Sequence, residues 1–179
     1  MKNNLVWIDL EMTGLHPEVD TIIEAACLIT NTDLEIIAEG PDLVIQAHPA
    51  AFESMDAWNK NQHTKSGLWE KVLASTITVE EAEERLLTFI KANARSRPYL
   101  AGNSIWQDRR FIRKYMPRLD AYLHYRMLDV SSLKIVVDYW RPKVVYQKRD
   151  SHRALDDVKE SIEELKLYKD HIFLPREGY

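Results

Sequence analysis

Residues Leu5–Gly14 read LVWIDLEMTG. Val6, Ile8 and Leu10 alternate with Leu5, Trp7, Asp9 and Glu11, and period-two alternation of β-branched and aromatic residues describes a strand. Residues two apart in a strand point to one face, so Asp9 and Glu11 project side by side. Two carboxylates this close, with apolar neighbours before and between them, repel each other and lose hydration. A compensating cation relieves both costs, and ligands that are all oxygen suit a hard divalent ion such as Mg²⁺ or Mn²⁺. The competing reading is an edge strand with one polar face in water. Short motifs match by accident, so the choice between the two depends on the remainder of the chain.

The chain has 179 residues, 45% of them apolar, which suits one folded α/β domain over residues 1–179 with a full core. No apolar run approaches membrane-spanning length and no signal peptide is recognisable, so no membrane partner is expected. The only cysteine, Cys27, cannot form an internal disulfide, which fits a reducing cytoplasm. Lying within an apolar run, it reads as a small buried hydrophobe. A net charge of −4 argues against gripping long nucleic acid through many phosphates. It leaves room for a short substrate held mainly by metals. Positive charge is local: from Trp140 to Arg153, five basic residues (Arg141, Lys143, Lys148, Arg149, Arg153) meet only Asp150.

Further along, Thr21–Thr30 (TIIEAACLIT) is a second strand and Glu35–Gln46 carries a third, interrupted by Gly40-Pro41. The short connections suggest an antiparallel meander. Ser54–His63 begins with a cap-type residue and reads as a helix, and Leu68–Leu73 as a shorter one. Thr78-x-x-Glu81 is a capping box that opens a helix with Ala82, Leu86, Phe89 and Ile90 on one face. Tyr99-Leu100-Ala101 is a short strand. Ser104-x-x-Gln107 can cap a helix with Ile105, Phe111, Ile112 and Tyr115 on its core face, stopped at Pro117. Arg126–Val130 is another strand. Ser131 or Ser132 opens a helix that Pro142 limits, and after the basic loop Ser151 precedes a long helix reaching about Lys169. The order implies an α/β sandwich on a mixed sheet, an antiparallel hairpin part followed by parallel crossovers.

Ligands in such folds gather at the carboxyl ends of strands and at helix N-termini. Asp108 sits near the start of the helix that follows the Leu100 strand, although acidic residues are common in first turns. In the last helix, 100° per residue gathers Ala154, Leu155, Val158, Ile162 and Leu165 into one stripe. Asp157 falls beside that stripe and Asp156 nearly opposite, toward water. Asp157 is thus the aspartate aimed along the rim of the sheet. His152, five residues earlier, is a candidate general base because an unperturbed imidazole titrates near neutrality.

Asp9-x-Glu11, Asp108 and His152-x-Ala154-x-x-Asp157 together resemble the three motifs of the DEDDh 3′→5′ exonucleases, which have a ribonuclease-H-like fold. Several further segments resemble the oligoribonuclease family at collinear spacing. They are Trp7–Leu15, Met55–Trp58, His63 with Ser66-Gly67-Leu68, Ala101–Ser104, Tyr125-Arg126, Leu128–Ser132 and His152–Asp157.

The resemblance implies a mixed sheet flanked by helices and a 3′→5′ exoribonuclease. It implies that Asp9, Glu11, Asp108 and Asp157 hold two divalent cations, Mg²⁺ or Mn²⁺, about 3.5–4 Å apart, with His152 taking a proton from the attacking water. Leu15 and Trp58 would wedge the terminal base. His63, Ser104, Arg126 and Ser131 would contact phosphate and sugar at the far end. Tyr125 would reach the neighbouring subunit's site in a homodimer. The implied substrate is RNA of about two to five nucleotides, dinucleotides especially, hydrolysed to nucleoside 5′-monophosphates. A proofreading or trimming exonuclease of the same superfamily, and an oligonucleotide-binding regulator on a decayed nuclease fold, are the alternatives; decay usually removes a metal ligand or the base, and all five positions are intact.

Overall fold

The computed structural model describes residues 4–147 and 153–173. Five strands form one sheet in the order β3-β2-β1-β4-β5. β1 (Leu5–Met12), β2 (Ile22–Thr30) and β3 (Ile36–Val44) make the antiparallel meander, and β4 (Tyr99–Gly102) and β5 (Met127–Asp129) add in parallel to its β1 edge. This is the mixed sheet expected from the sequence. Gly40-Pro41 does not break β3. Ala26 pairs with Asp42 and Leu28 with Glu39, so the two residues bulge opposite Cys27. Glycine is required there, because a Cβ on Gly40 would lie 2.6 Å from the Cys27 carbonyl and 2.5 Å from the Phe89 ring.

Eight helices complete the described chain: α1 (Ala50–Ser54), α2 (Ala57–Lys65), α3 (Leu68–Ala74), α4 (Val79–Asn93), α5 (Ile105–Tyr115), α6 (Pro117–Tyr122), α7 (Val130–Trp140) and α8 (Ala154–Ile172). Several boundaries differ from expectation. Ser54 ends α1, and Asp56 caps α2 by accepting from the Asn59 amide at 2.8 Å. Pro117 stops α5 but also opens α6, since proline at the first helical position forfeits only an N–H that had no partner. Asp129, not Ser131 or Ser132, caps α7 through the Ser131 amide. Thr78 caps α4 as its sequence promised.

The sheet separates two apolar layers, and the alternation of β1 decides which residue enters which. Val6, Ile8 and Leu10 pack with Ala82, Leu86 and Ile90 of α4 and with Ile105, Phe111 and Ile112 of α5. Leu5 and Trp7 point the other way, against Ala154, Val158, Ile162, Leu165 and Tyr168 of α8. Asp9 and Glu11 continue that second face past the end of the core, at the carboxyl end of the strand. The packing of α8 is therefore what places anything beside them.

Trp7 is the largest wholly buried side chain, and its indole N–H donates to the Thr30 hydroxyl at 2.9 Å. Trp7→Ala is expected to destabilise the fold by about 3–5 kcal/mol, measured by denaturant unfolding. Trp7→Phe should recover most of the loss but leave the Thr30 hydroxyl without its donor. A Trp7→Ala variant as stable as the parent would contradict this packing.

Candidate active site

Asp9, Glu11 and Asp157 each present a carboxylate oxygen such that the three lie within 4.8 Å of one another. Two come from adjacent same-face positions of β1 and the third from the first turn of α8. Asp156, one residue earlier, is exposed, as the helical arithmetic required. Burial pushes the Glu11 carboxyl up to about 8, and the charges of Asp157, Glu24 and Asp108 add to the rise, while the Arg153 guanidinium opposes it. A carboxyl this reluctant to ionise is one that burial strips of water and that neighbouring acids crowd, with Arg153 only partly compensating. An oxygen-only cluster of three acids fits a hard divalent cation by its donor chemistry.

Asp108 stands apart from that group of three. It is 6% exposed in the first turn of α5, and its Oδ1 accepts the Leu10 amide at 3.0 Å. Burial pushes its carboxyl up to about 7 against the pull of that amide. It reaches the cluster through its charge on Glu11 and through the β1 backbone between Asp9 and Glu11. His152 lies outside the described residues.

The loop after β1 is held from α5. Gln107 Nε2 donates to the Leu15 carbonyl at 2.7 Å, and the Tyr115 hydroxyl donates to the Pro17 and Asp20 carbonyls. Within the loop, Asp20 accepts from the Thr13 hydroxyl and the His16 amide. A Cβ on Gly14 would run into that carboxylate at 2.4 Å. The result is an anchored loop whose Leu15 side chain is 62% exposed, the same exposure as Trp58 on α2. α2 is tied to the end of β1 by His63, a buried residue whose Nε2 is 3.0 Å from the Met12 carbonyl.

Ser104 and Ser131 are brought together, their hydroxyls 3.1 Å apart. Ser104 does not cap α5 as the sequence suggested. It sits in the left-handed region at φ 48°, and its amide donates to Asp129 and to the Ser131 hydroxyl. A non-glycine residue in that region is strained, and such strain clusters at functional sites. Asn103 ties this pair to α8, donating to Ser161 at 2.9 Å and Glu164 at 3.0 Å. Tyr125 and Arg126 are exposed next to β5, with the Arg126 guanidinium 5.3 Å from the Tyr125 ring centre. Sequence reasoning assigned no site role to Glu24, to Gln107 beyond a helix cap, or to Asn103 and Asp129 beyond their place in matching segments. The signal for Glu24 was present, as the one acid in an otherwise apolar strand; the others needed tertiary contacts to be seen.

Comparison with known proteins places this chain among exonucleases. A sequence model of the RNase_T family, described as exonuclease, matches residues 6–165. An oligoribonuclease of Ralstonia nicotianae is 52% identical over 172 residues, covering 94% of this chain and 78% of that one. An oligoribonuclease of Chromobacterium violaceum is 50% identical over 172 residues, covering 94% and 95%. One from Legionella pneumophila is 51% identical over 176 residues, covering 96% and 94%. Among solved structures, E. coli exonuclease I in complex with a 5cy-dT13 oligonucleotide superposes with a TM-score of 0.71 at 16% identity, over 96% of this chain and 42% of that one. The zinc-bound E. coli exonuclease I complex with single-stranded DNA gives 0.72 at 16%, over 96% and 41%. This chain spans about two-fifths of those exonuclease I chains, and at such identity the likeness is one of fold, a ribonuclease-H-like one.

A carboxyl whose pKa is higher folded than unfolded keeps its proton longer in the native state. The unfolded chain then binds fewer protons across that interval, so stability falls as pH rises. For Glu11 the interval runs from its ordinary 4.5 to about 8. Chelator-treated protein is expected to lose several degrees of melting temperature across it, and Glu11→Gln to flatten the loss. A divalent ion competes with the proton for the same oxygens, so Mn²⁺ should raise the melting temperature more at pH 8 than at pH 5. Thermal scans at both pH values, with and without Mn²⁺, read this directly; equal shifts would refute it.

Proposed function

The chain belongs to the oligoribonuclease family of exonucleases, and from this premise we propose that it degrades RNA of about two to five nucleotides, dinucleotides above all, to nucleoside 5′-monophosphates. It is a 3′→5′ exoribonuclease, a phosphodiester hydrolase. The observation that supports metal-dependent hydrolysis is the convergence of Asp9, Glu11 and Asp157 from two distant parts of the chain, and the length preference rests on the likeness to oligoribonucleases.

Asp9, Glu11 and Asp157, with Asp108 alongside, would hold two divalent ions, Mg²⁺ or Mn²⁺. Bound there, such ions supply an activated water and charge stabilisation on the leaving oxygen. The protein's own share is to hold these carboxylates converged against the reluctance of Glu11 and Asp108 to ionise, with apolar packing of α8 fixing the distance between strand and helix; the bound cations would favour the ionised form. His152 is assigned the water's proton on the family resemblance, and its imidazole must start neutral.

Leu15 and Trp58, both well exposed on anchored elements, are assigned the terminal base. Base–aromatic stacking tolerates any base, as a degradative enzyme requires. His63, Ser104, Ser131 and Arg126 are assigned the phosphate and sugar at the other end, where the Ser104 and Ser131 hydroxyls lie 3.1 Å apart. Tyr125, 66% exposed, is assigned to the site of a second copy, which makes the active form a homodimer. The same proposal takes residues 1–179 as one exonuclease domain working in the cytoplasm. Among the described residues, no helix is long and apolar enough to cross a membrane.

Digestion of a mixture of oligoribonucleotides in Mg²⁺ tests the reading. Dinucleotides should disappear first, and Asp157→Ala should release no mononucleotide. A rate that climbs with length from two to twenty nucleotides would assign the chain to a trimming exonuclease instead. Trp58→Ala should raise KM for a dinucleotide by roughly 5- to 150-fold, the equivalent of about 1–3 kcal/mol of stacking. An unchanged KM would remove Trp58 from the site.

A further inference from the structure

Glu24 is fully buried on β2, directly opposite Glu11 on the same face of the sheet. A buried acid behind three others adds repulsion, so something must hold it there. Its Oε1 accepts the Arg153 Nε at 2.9 Å and also the Arg153 Nη2, and its Oε2 accepts the Ala154 amide at 3.2 Å. Ala154 is the first residue of α8, and the residue before it, Arg153, makes no side-chain cap of its own. Helix N-termini leave backbone N–H groups without intrahelical partners. In α8 a carboxylate from another element supplies the acceptor.

We propose that Glu24 is a positioning residue for the reaction, a cap supplied from β2 of the same chain that locks the first turn of α8 so that Asp157 meets Asp9 and Glu11. The inference rests on the metal-site reading given above. Three observations carry it. Both Glu24 oxygens are engaged by Arg153 and Ala154, so the carboxylate is spoken for and is not itself a member of the three-acid group. Asp157 is three residues after Ala154, and positions three apart neighbour each other on a helix surface. Its amide closes the first turn on the Arg153 carbonyl at 3.0 Å. The register between Glu11 and Glu24 is therefore transmitted to Asp157 through one guanidinium and one backbone amide.

Guanidinium also suits this place better than ammonium. Arg153 makes a planar fork onto Glu24, which a lysine cannot reproduce. Its charge lies close enough to Glu11 to favour ionisation there. The same side chain thus orients α8 and partly offsets the charge of the site.

Mn²⁺ titration calorimetry, kcat and KM on a dinucleotide, and amide hydrogen exchange over residues 154–158 test this on the full chain. Glu24→Gln and Arg153→Lys should each weaken Mn²⁺ binding and lower kcat by about 10- to 100-fold, the usual effect of losing a partner that orients a metal ligand. KM should stay within about twofold of the parent, and the Ala154 amide should exchange faster. The double variant should be little worse than the more damaged single one, because the two residues act as a unit. Arg153→Lys replaces a half-buried residue by a conservative one, so it reports even where Glu24→Gln folds poorly. Variants that melt earlier yet keep parental Mn²⁺ affinity and kcat would reduce the pair to a structural role and overturn the proposal. Loss of an Mn²⁺ equivalent in Glu24→Gln with Arg153→Lys unaffected would make Glu24 a ligand and also overturn it. A parent protein that neither binds Mn²⁺ nor hydrolyses dinucleotides would take down the underlying reading and this inference together.

Discussion

Bringing Asp9, Glu11 and Asp157 within reach of one another is work done against electrostatics, and the architecture is arranged to do it. Like charges a few ångströms apart in a partly buried site repel strongly. The Glu11 carboxyl is pushed up first by burial and then by the neighbouring acids. What opposes the repulsion is the apolar layer between α8 and the sheet. Trp7, Ala26 and Leu28 on the strands meet Ala154, Val158 and Ile162 on the helix, and all six are buried. Each fully buried aliphatic or aromatic side chain contributes about 1.5–3 kcal/mol. The site sits at the margin of that layer, where burial is sufficient to fix geometry and water is near enough for a substrate to enter.

The same logic explains why the acids come from β1 and α8 rather than from loops. A strand fixes Asp9 and Glu11 to one face by its pleat, and β1 is paired on both sides, to β2 and to β4. A central strand has little freedom to slip, because a shift of one residue would exchange the two apolar layers. The helix contributes the third acid from its first turn, where the positive end of the helix dipole lowers the cost of a carboxylate. Asp108 uses the equivalent place on α5 from the opposite layer, with its oxygen on the Leu10 amide. Two helices on opposite faces thus aim their N-terminal turns at one short segment of one strand.

This division explains what could be read in the sequence and what could not. Alternation in Leu5–Glu11 and the 3.6-residue period in Ala154–Leu165 are local patterns, and they placed Asp9, Glu11 and Asp157 on the faces where the structure has them. Local patterns failed where a side chain had a better partner from elsewhere. Ser104 reads as a cap, yet its amide is taken by Asp129 and Ser131, 25 and 27 residues away, and the backbone turns left-handed to make those bonds. Ser54 reads as the cap of a helix reaching His63, yet it closes α1, and Asp56 caps α2, following Met55, which is buried with Leu68 and Val72. Pro117 ends one helix and begins another, a choice no single-residue rule makes. Glu24 was visible as an odd acid in an apolar strand, but only the fold shows it facing Arg153 across 129 residues.

Rigid support extends beyond the acids, and it bears on how a weakly charged protein would hold an anionic ligand. With a net charge of −4, long-range attraction contributes little, and affinity has to come from short-range contacts already in place. The elements around the site have that character. The Leu15 loop is pinned to α5 by Gln107 and Tyr115, α2 is pinned to β1 by His63, and Ser104 and Ser131 are fixed by Asn103 and Asp129. Each anchor is a buried or half-buried polar group satisfied inside the protein, so little ordering remains to be done on binding. On the proposed function, a short oligonucleotide would suit such a surface, because it needs few contacts and brings few charges to neutralise. A long one would demand an extended basic track, whereas the basic residues of this chain fall in separate short groups, such as Arg109–Arg118 and Arg141–Arg153, under a net negative charge. The proposed substrate length and the charge distribution would then be linked through the same constraint, the convergence of Asp9, Glu11 and Asp157 at one end of one strand.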